Sequence, residues 1–252
     1  MGQLSGRVAL VTGAGRGFGR AIAVALAGAG ADVAVNYRAS EGGAGEVARE
    51  VAALGRRAVT VRADVAREDQ VRSMVARVLG ELGRLDVLVN NAGIMTRGRF
   101  LDVPVADYEA MFAINVTGTL LCSRHALPAM VERRHGRIIN LSSQLARRGV
   151  GSAGFSGYAA TKGAIEAFTR ALASEVGGQG VTVNAIAPGG IETDMSRGLM
   201  TPEYRARRLA ELPLQRFGRV EDVAYCAVML AADEAGYLTG QILHPSGGWV
   251  MG

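Results

Sequence analysis

The chain has 252 residues, of which 49% are hydrophobic and 20% charged, so it is neither fibrous nor disordered and has the size of one large α/β domain. Only 5% of the residues are aromatic, which argues against a base-stacking nucleic-acid binder. The net charge of +5 comes from basic residues scattered along the chain, a pattern typical of a solvated surface and not of a nucleic-acid partner.

Short apolar, β-branched runs alternate with alanine-rich helical stretches from one end of the chain to the other. The predicted strands are 8–12, 33–37, 58–61, 85–90, 138–141, 181–187 and 241–243. The predicted helices are 17–29, 41–54, 68–82, 104–132, 158–177 and 220–232. Continuously apolar strands separated by helices predict a Rossmann-type, doubly wound parallel sheet of about seven strands with helices on both faces. Because no linker or repeat interrupts the pattern, residues 1–252 are predicted to form one domain.

A glycine-rich turn joins the first predicted strand to the first helix. Its sequence runs Thr12, Gly13, Ala14, Gly15, Arg16, Gly17, Phe18, Gly19. Glycines at this place let the backbone approach a pyrophosphate closely, and the helix N-terminus then binds the anion. The alternative, a glycine turn with a structural role only, stays open on the motif alone.

The end of the second predicted strand bears on the choice of cofactor. NAD binders place an acidic residue there to accept a hydrogen bond from the ribose 2′-hydroxyl. Here the sequence 35–40 contains no acid, and Glu41 is the first one. Arg38 could pair with a 2′-phosphate, with Arg16 closing from the glycine turn, so NADP(H) is predicted. Solvated surface charge is the alternative for each arginine.

Tyr158 and Lys162 are four residues apart in a predicted helix, which puts both side chains on one face. Lys162 is the one lysine among 28 basic residues, so a role that arginine cannot fill is expected for it. An ammonium near a phenol is expected to lower the phenol pKa, and Tyr158 could then exchange a proton with an alkoxide or alcohol. A tyrosine and a lysine on a solvated helix surface are the alternative.

Two other classes of enzyme find little support. His125, His135 and His244 are not in the spacing of metal ligands, so no metal site is expected. The sequence has no G-x-S-x-G turn with an acid and a base nearby, which argues against a serine hydrolase.

Six marks in order along the chain resemble the short-chain dehydrogenase/reductase family. They are the T-G-x-x-x-G-x-G spacing, Asn90-Asn91-Ala92-Gly93, Asn115, Ser143, the Tyr158/Lys162 pair and Pro188-Gly189. The tail 239–248 is also similar, so the resemblance covers nearly the whole chain. It implies hydride transfer between a nicotinamide cofactor and a carbonyl or alcohol substrate.

The resemblance also implies a role for each residue. The catalytic residues would be Asn115, Ser143, Tyr158 and Lys162, with Ser143 preferred to Ser142 as the donor to the substrate carbonyl and Asn115 holding a water that leads to Lys162. The last of these stays open, because Asn115 could equally be a back-bonded core residue. The cofactor-binding residues would be Gly13, Gly15, Arg16, Gly17, Phe18, Gly19, Arg38, Asp64, Val65, Asn91, Ala92, Gly93, Tyr158, Lys162, Pro188, Gly189, Ile191 and Thr193.

Within the family, segments 135–143 and 184–195 are similar to 3-oxoacyl-[acyl-carrier-protein] reductases. The implied substrate is a 3-oxoacyl thioester on acyl-carrier protein or CoA, or a related ketone. Acyl-carrier protein is acidic, so a basic docking patch including Arg133 and Arg134 is expected near the pocket. The helix end 175–179 lacks the second basic residue of such a patch. Sugar or steroid dehydrogenases, and a non-catalytic NADP(H)-binding redox sensor, remain alternatives.

Three further expectations concern the molecule as a whole. Segment 194–213 is expected to form a lid over the substrate, although an ordinary amphipathic helix would show the same pattern. The resemblance implies a homotetramer assembled through helices 104–132 and 158–177 and the last strand. No signal peptide or membrane span is indicated, and Cys122 and Cys226 lie in apolar contexts that suit reduced thiols, so a cytoplasmic protein without a membrane partner is expected.

Overall fold

The structure, a computed structural model, describes residues 2–147, 154–192 and 201–251. Within these ranges, seven parallel strands form one sheet in the order β3-β2-β1-β4-β5-β6-β7. The strands are β1 (Val8–Val11), β2 (Asp32–Tyr37), β3 (Ala58–Arg62), β4 (Val87–Asn90), β5 (Gly136–Leu141), β6 (Val181–Ile186) and β7 (Ile242–Leu243). The predicted doubly wound parallel sheet is confirmed.

Helices cover both faces of this sheet. They are α1 (Gly17–Gly28), α2 (Glu41–Ala53), α3 (Glu68–Leu82), α4 (Val105–Met111), α5 (Gly118–Glu132), α6 (Ser156–Val176), α7 (Pro202–Glu211) and α8 (Val220–Ala231). Most predicted bounds agree to within two residues, a difference comparable to that between assignment methods.

The two apolar cores explain why the strand sequences are continuously apolar. Alternate residues of β1 point to opposite faces, so that Ala9 and Val11 pack against α1, α2 and α8. Val8 and Leu10 pack on the other face against α3, α5 and α6. Every residue of β1 is buried because the strand is covered on both faces.

The strand order reverses at β1, which lies between β2 and β4. Connections from β1 and β4 therefore leave towards opposite faces, and a crevice opens at the carboxyl ends of these strands. This edge carries the ends of β1 to β6 and the start of helix α1.

The predicted helix 104–132 is correct in extent but not in continuity. A π-helical turn, Phe112–Thr117, separates α4 from α5 and contains Asn115. Helical periodicity in the sequence does not reveal such a turn, because the apolar positions on either side stay on one face. Isolated π-turns in helices often occur at functional sites.

An ion-pair network holds together the opposite, amino edge of the sheet. Asp86, which is fully buried, accepts hydrogen bonds from Arg84 at 2.6 and 2.7 Å and from the Val8 amide at 2.9 Å. Asp233 lies at its margin and pairs with Arg7 at 2.7 Å and with His135 at 2.9 Å. The network therefore joins β1, β4, the turn before β5 and the segment after α8.

No helix in the described ranges has both the length and the apolar character needed to cross a bilayer.

Candidate active site

A cleft of about 590 Å³ opens at the carboxyl edge of the sheet. The glycine turn forms one wall, and the ends of β2, β3 and β4 form the floor and the far wall. Tyr158 and Lys162 of α6 lie at its inner end, together with Leu141 and Ser142. Of the predicted cofactor-binding residues, Gly13, Gly15, Arg16, Gly17, Phe18, Arg38, Asp64, Val65, Asn91, Ala92, Gly93, Tyr158 and Lys162 line this cleft.

Thr12 and Asn91 fix the glycine turn to the end of β4. The Thr12 hydroxyl accepts hydrogen bonds from the amides of Asn91 and Ala92, both at 3.0 Å. The Asn91 side chain donates in return to the carbonyls of Thr12 at 2.8 Å and Gly13 at 3.1 Å. A Cβ on Gly19 would lie 2.5 Å from the Asn91 amide nitrogen, so this close packing requires glycine. Asn91 therefore mainly stabilises the conformation of the glycine turn.

Asn36 also stabilises the glycine turn, and it was not among the predicted site residues. Its buried side chain accepts a hydrogen bond from the Gly13 amide at 3.1 Å and donates to the carbonyls of Val61 and Ala63. One carboxamide thus connects the glycine turn with β2 and the end of β3. A polar residue inside an otherwise apolar strand was the available signal, because buried amides need partners.

The start of α1 fits a phosphate group. Gly17 has φ of +54°, and a Cβ placed on it would meet no atom within 4 Å, so it faces the open cleft. In the part of the chain that the structure describes, no side chain caps this helix at Arg16. The free amides of the first turn and the helix dipole together favour an anion such as a pyrophosphate.

Arg38 lies at the rim of the cleft, directly after β2. Its side chain is 60% exposed, and its guanidinium lies 3.6 Å from the Asp64 carboxylate. Ser40, which the sequence analysis did not select, also lines this end. Tyr37 to Ser40 contain no acidic residue. The rim therefore offers a cation and a hydroxyl where an NAD-specific site would carry a carboxylate.

Tyr158 and Lys162 line the inner end of the cleft, and Ser143 lies next to Tyr158, directly after the lining residue Ser142. Tyr158 hydrogen bonds with the side chain of Ser143. The Lys162 ammonium donates to the Leu141 carbonyl at 2.6 Å and lies 5.5 Å from the centre of the Tyr158 ring. A phenol, a hydroxyl and an ammonium therefore converge beside the anion-binding turn.

Burial dominates the acid–base properties of this cluster. Desolvation raises the pKa of Tyr158 to about 12, and the hydrogen bond with Ser143 opposes part of this rise. Desolvation also lowers the pKa of Lys162 to about 8. The expectation that the ammonium lowers the phenol pKa is therefore wrong for the net effect. The ammonium binds the Leu141 carbonyl, and the cost of burying a phenolate is larger than its attraction.

Ser142, which lines the cleft, and Ser143 differ in their contacts, and the choice of Ser143 stays a prediction. The Ser142 hydroxyl lies 3.2 Å from both the Lys162 carbonyl and a Glu166 carboxylate oxygen. Ser143 instead bonds with Tyr158 and accepts from the Leu145 amide at 3.2 Å. Ser142 is thus engaged with the α6 backbone, and Ser143 faces the phenol.

Asn115 does not contact Lys162 by any hydrogen bond within the described ranges. Its carboxamide oxygen accepts from the Ile94 amide at 2.8 Å, and its nitrogen donates to the Ile94 carbonyl and to Thr161. The side chain therefore ties the loop after β4 to α6 across the π-turn. Its expected partnership with a water on the way to Lys162 stays a prediction.

Pro188, Gly189 and Ile191 follow β6 and border the serine segment. The Pro188 carbonyl accepts from the Gln144 amide at 3.1 Å, and a Cβ on Gly189 would lie 2.6 Å from the backbone of Ser246. Ile191 is buried and bridges to Gly218. Thr193 and residues 194–200 of the expected lid lie outside the described residues, whereas α7 forms the later part of that segment.

Arg133 and Arg134 lie at the other end of the molecule from the cleft. They follow α5 and precede β5, whereas Ser143 comes after the carboxyl end of β5. The expected docking patch beside the pocket is therefore not formed by these residues within one chain.

Comparison with known proteins gives a consistent result. Residues 13–250 match a family model described as Enoyl-(Acyl carrier protein) reductase. The chain is 42% identical over 243 residues to a 3-oxoacyl-[acyl-carrier-protein] reductase FabG of Staphylococcus aureus, covering 96% of this chain and 98% of that protein.

Two solved structures are similar throughout. A short-chain type dehydrogenase/reductase from Mycobacterium marinum has a TM-score of 0.93 and 36% identity, covering 99% of this chain and 97% of that one. A gluconate 5-dehydrogenase from Burkholderia cenocepacia in complex with NADP and tartrate has a TM-score of 0.92 and 33% identity, covering 98% and 96%. The similarity spans the sheet, the glycine turn and the Ser143–Tyr158–Lys162 cluster, and the chain belongs to the short-chain dehydrogenase/reductase family of nicotinamide-dependent oxidoreductases.

Proposed function

We propose that this enzyme uses NADPH to reduce a ketone, with a 3-oxoacyl thioester as the leading substrate class. The observation that carries the proposal is a cleft lined by both the anion-binding turn and the pair Tyr158 and Lys162, with Ser143 next to the Tyr158 phenol. In this proposal Tyr158 is the proton donor and Ser143 stabilises the carbonyl oxygen. Lys162 and Asn115 complete the catalytic set, with Asn115 supporting the cleft wall.

The bound dinucleotide supplies the hydride. The Ser143 hydroxyl holds the substrate oxygen and stabilises the negative charge that develops on it. Tyr158, whose raised pKa keeps it protonated at neutral pH, gives its proton to that oxygen. Lys162 then returns a proton towards the phenol, a role consistent with its lowered pKa. In the reduction direction the phenol starts the reaction with its proton, as its raised pKa provides at neutral pH.

The preference for NADPH rests on the rim of the cleft. Arg38 and Arg16 are the cations available to a 2′-phosphate, and the end of β2 carries no carboxylate to bind a 2′-hydroxyl. Gly13 to Gly19 would hold the pyrophosphate, and Asp64 and Val65 would border the adenine. Pro188, Gly189, Ile191 and Thr193 are proposed to surround the nicotinamide. Similar solved structures are in complex with NADP in one case and with NADH in another, so the proposed preference rests on the residues of this rim.

The thioester substrate follows from the curated relative, which is named for the reduction of 3-oxoacyl groups on acyl-carrier protein. The gluconate 5-dehydrogenase supports a second candidate, a polyol or sugar-acid substrate. The name of the matching family model adds a third reaction to test, reduction of an enoyl thioester.

Assembly and location remain part of the proposal. We propose one domain over residues 1–252, a substrate lid over 194–213, a homotetramer and a cytoplasmic location. Exposed apolar residues on α4, the π-turn and α5 support an interface there, among them Val105, Phe112 and Leu120. Light scattering should give four times the mass of the chain, and a monomer mass would contradict this assembly.

The decisive experiment measures NADPH oxidation with a panel of substrates. The panel contains acetoacetyl-CoA, a 3-oxoacyl group on acyl-carrier protein, a 2-enoyl thioester, keto-acids of sugars, and cyclic ketones, and each assay is repeated with NADH. Turnover of the 3-oxoacyl thioesters with NADPH is expected. Turnover of the other ketones alone would move the substrate class, and tight NADPH binding without any turnover would favour a redox sensor.

A further inference from the structure

Glu166 is a buried carboxylate that the proposed mechanism does not use. It lies on α6, four residues after Lys162 and eight after Tyr158, so the three side chains form one stripe on the helix. Its side chain is 5% exposed. A buried charge is costly unless it is paired, so the partners of this carboxylate show what it does.

The two oxygens of Glu166 contact the chain on either side of Ser143. Oε1 lies 3.2 Å from the hydroxyl of Ser142, the residue directly before it. Oε2 accepts a hydrogen bond from Arg147 Nε at 3.2 Å, four residues after it. The short helical turn Gln144–Ala146 lies between these two contacts, and Ser143 caps it. One carboxylate therefore holds both ends of the segment that carries the serine.

The same segment is attached to α6 next to Lys162. The Ser142 hydroxyl lies 3.2 Å from the Lys162 carbonyl, and the Lys162 ammonium donates to the Leu141 carbonyl at 2.6 Å. These two contacts fix the end of β5 to the helix. The short helical turn after Ser143 packs against α6 as well, and the Glu166–Arg147 pair adds a charged contact at the far end of that turn.

The charges that face Glu166 come from three directions. Arg147 approaches from the serine segment, and Arg170 approaches from the next turn of α6 at 3.8 Å. The third group is His244, which follows β7. Desolvation and then Arg147 lower its pKa, and Glu166 opposes this shift. Arg147 is 40% and Arg170 51% exposed, so the carboxylate is the buried member of each pair.

From this geometry we infer that Glu166 is a positioning residue, which sets the distance between Ser143 and Tyr158 by holding Ser142 and Arg147 on the catalytic helix. The inference rests on the proposed function of Ser143 and Tyr158. Glu166 touches neither substrate nor cofactor in this role. It acts on the rate only through Ser143.

The test is a double-mutant cycle between Glu166→Gln and Ser143→Ala, measured as kcat for ketone reduction with NADPH. Glutamine keeps the size of the side chain but loses the charge that binds Arg147. Glu166→Gln alone should lower kcat by about 10- to 100-fold, because small displacements of catalytic groups have effects of this order. The Kd for NADPH should stay unchanged. In the Ser143→Ala background the same change should have less than about a twofold effect, because the group it positions is gone.

Glu175→Gln is the matched control, since Glu175 is an exposed glutamate on the same helix. It should leave kcat unchanged in both backgrounds. A crystal structure of the Glu166→Gln enzyme should show Ser143 Oγ beyond hydrogen-bond distance of the Tyr158 hydroxyl, which tests the inference even where the double variant is too slow to assay. If Glu166→Gln does not fold, Arg147→Gln removes the same contact from its more exposed side and should give the same non-additive loss.

Two outcomes would overturn the inference while leaving the proposed function intact. One is a kcat within about twofold of the unmodified enzyme for Glu166→Gln. The other is an equal loss from Glu166→Gln with and without Ser143, which would mean that the carboxylate acts independently of the serine. By contrast, full activity of the Ser143→Ala enzyme would contradict the proposed function itself.

Discussion

At Tyr158, burial and hydrogen bonding act on one phenol in opposite directions. Desolvation raises its pKa to about 12, and Ser143 opposes this rise. A group that keeps its proton at neutral pH is suited to protonate the strongly basic oxygen that hydride addition creates. In the proposed mechanism the residue would thus serve as an acid in reduction without first being activated.

Replacing Tyr158 by phenylalanine removes the phenolic hydroxyl, and with it the transferable proton, but keeps the aromatic ring. The rate of ketone reduction should fall by about 10²- to 10⁴-fold, the usual contribution of a positioned acid. NADPH binding, followed by fluorescence titration, should change little. Retention of most of the activity would mean that another group supplies the proton.

The lowered pKa of Lys162 predicts a pH dependence. Lys162 carries its proton below about pH 8 and loses it above that value. Reduction, which consumes a proton, should therefore slow as the pH rises through about 8, whereas alcohol oxidation should speed up. Steady-state rates in both directions across this range provide the measurement, and a reduction rate that stays constant far above pH 8 would contradict the role of Lys162.

Arg38→Ala tests the cofactor preference more cleanly than an acidic replacement, because an aspartate there would face Asp64 at close range. Loss of a charge-assisted hydrogen bond to a 2′-phosphate should weaken NADPH binding by about 10- to 100-fold and leave NADH binding nearly unchanged. Arg49→Ala, at an exposed site on α2, is the control for a general loss of charge. An equal effect on both cofactors would place the 2′-phosphate elsewhere.

Among the elements, the π-turn between α4 and α5 is a feature that the sequence pattern did not predict. The alternation of strands and helices follows from local apolar patterns, and the prediction of the sheet is confirmed. The π-turn between these helices contains Asn115, which bonds with Ile94 in the loop after β4, a contact between segments that are distant in the sequence. A local pattern cannot contain that information.

The cleft shows the same division. The glycine turn and the Tyr158/Lys162 pair are short-range motifs, and both line the cleft as the sequence analysis expected. Asn36 and Glu166 were not predicted, because their partners lie in the glycine turn, after the end of β3 and in the segment after β5. Their signal in the sequence, a polar residue in an apolar setting, does not identify the partner.

Asn115→Leu tests the contribution of the π-turn. Leucine has a similar size, but it removes the partner of the partly buried amide and carbonyl of Ile94. We expect a loss of about 2–4 kcal/mol in the free energy of unfolding, together with reduced activity because the loop forms the cleft wall. Urea denaturation provides the measurement, with Thr119→Val as a control that removes a single hydrogen bond to the Asn115 carbonyl. Equal losses for the two variants would contradict a special role for the side chain.

In the molecule as a whole, the polar residues that line the cleft and the charged residues that form ion pairs lie at opposite edges of the sheet. Polar groups at the carboxyl edge of the sheet surround the cleft, and those at the amino edge pair with one another around Asp86 and Asp233. In parallel α/β folds the ligand site commonly lies at the carboxyl edge of the sheet, which leaves the amino edge for structural contacts.

Acid should weaken the amino edge at Asp233. A hydrogen bond from His135 lowers the pKa of this carboxylate below its ordinary value of 3.8, with Arg7 contributing further. Because the folded-state pKa is the lower one, the pairing stabilises the fold above about pH 3.8 and is lost as the pH falls through the folded-state value.

Asp233→Asn should therefore reduce stability at neutral pH by no more than about 1 kcal/mol, since Asp233 is largely exposed, and the difference should disappear in acid. Urea midpoints measured across pH give the comparison, with the exposed neighbour Glu234→Gln as a control. A difference that does not vary with pH would rule out the carboxylate charge as its cause.

The solitary lysine has a practical consequence. Besides the terminal amine, the chain has one primary amine that amine-selective reagents can modify, the side chain of Lys162. This side chain is buried in the cleft. Lysine-directed immobilisation or cross-linking on the exterior is therefore unavailable. Slow acylation of Lys162, detected by mass spectrometry, would instead report directly on access to the cleft, and a dinucleotide bound there should protect Lys162 from the label.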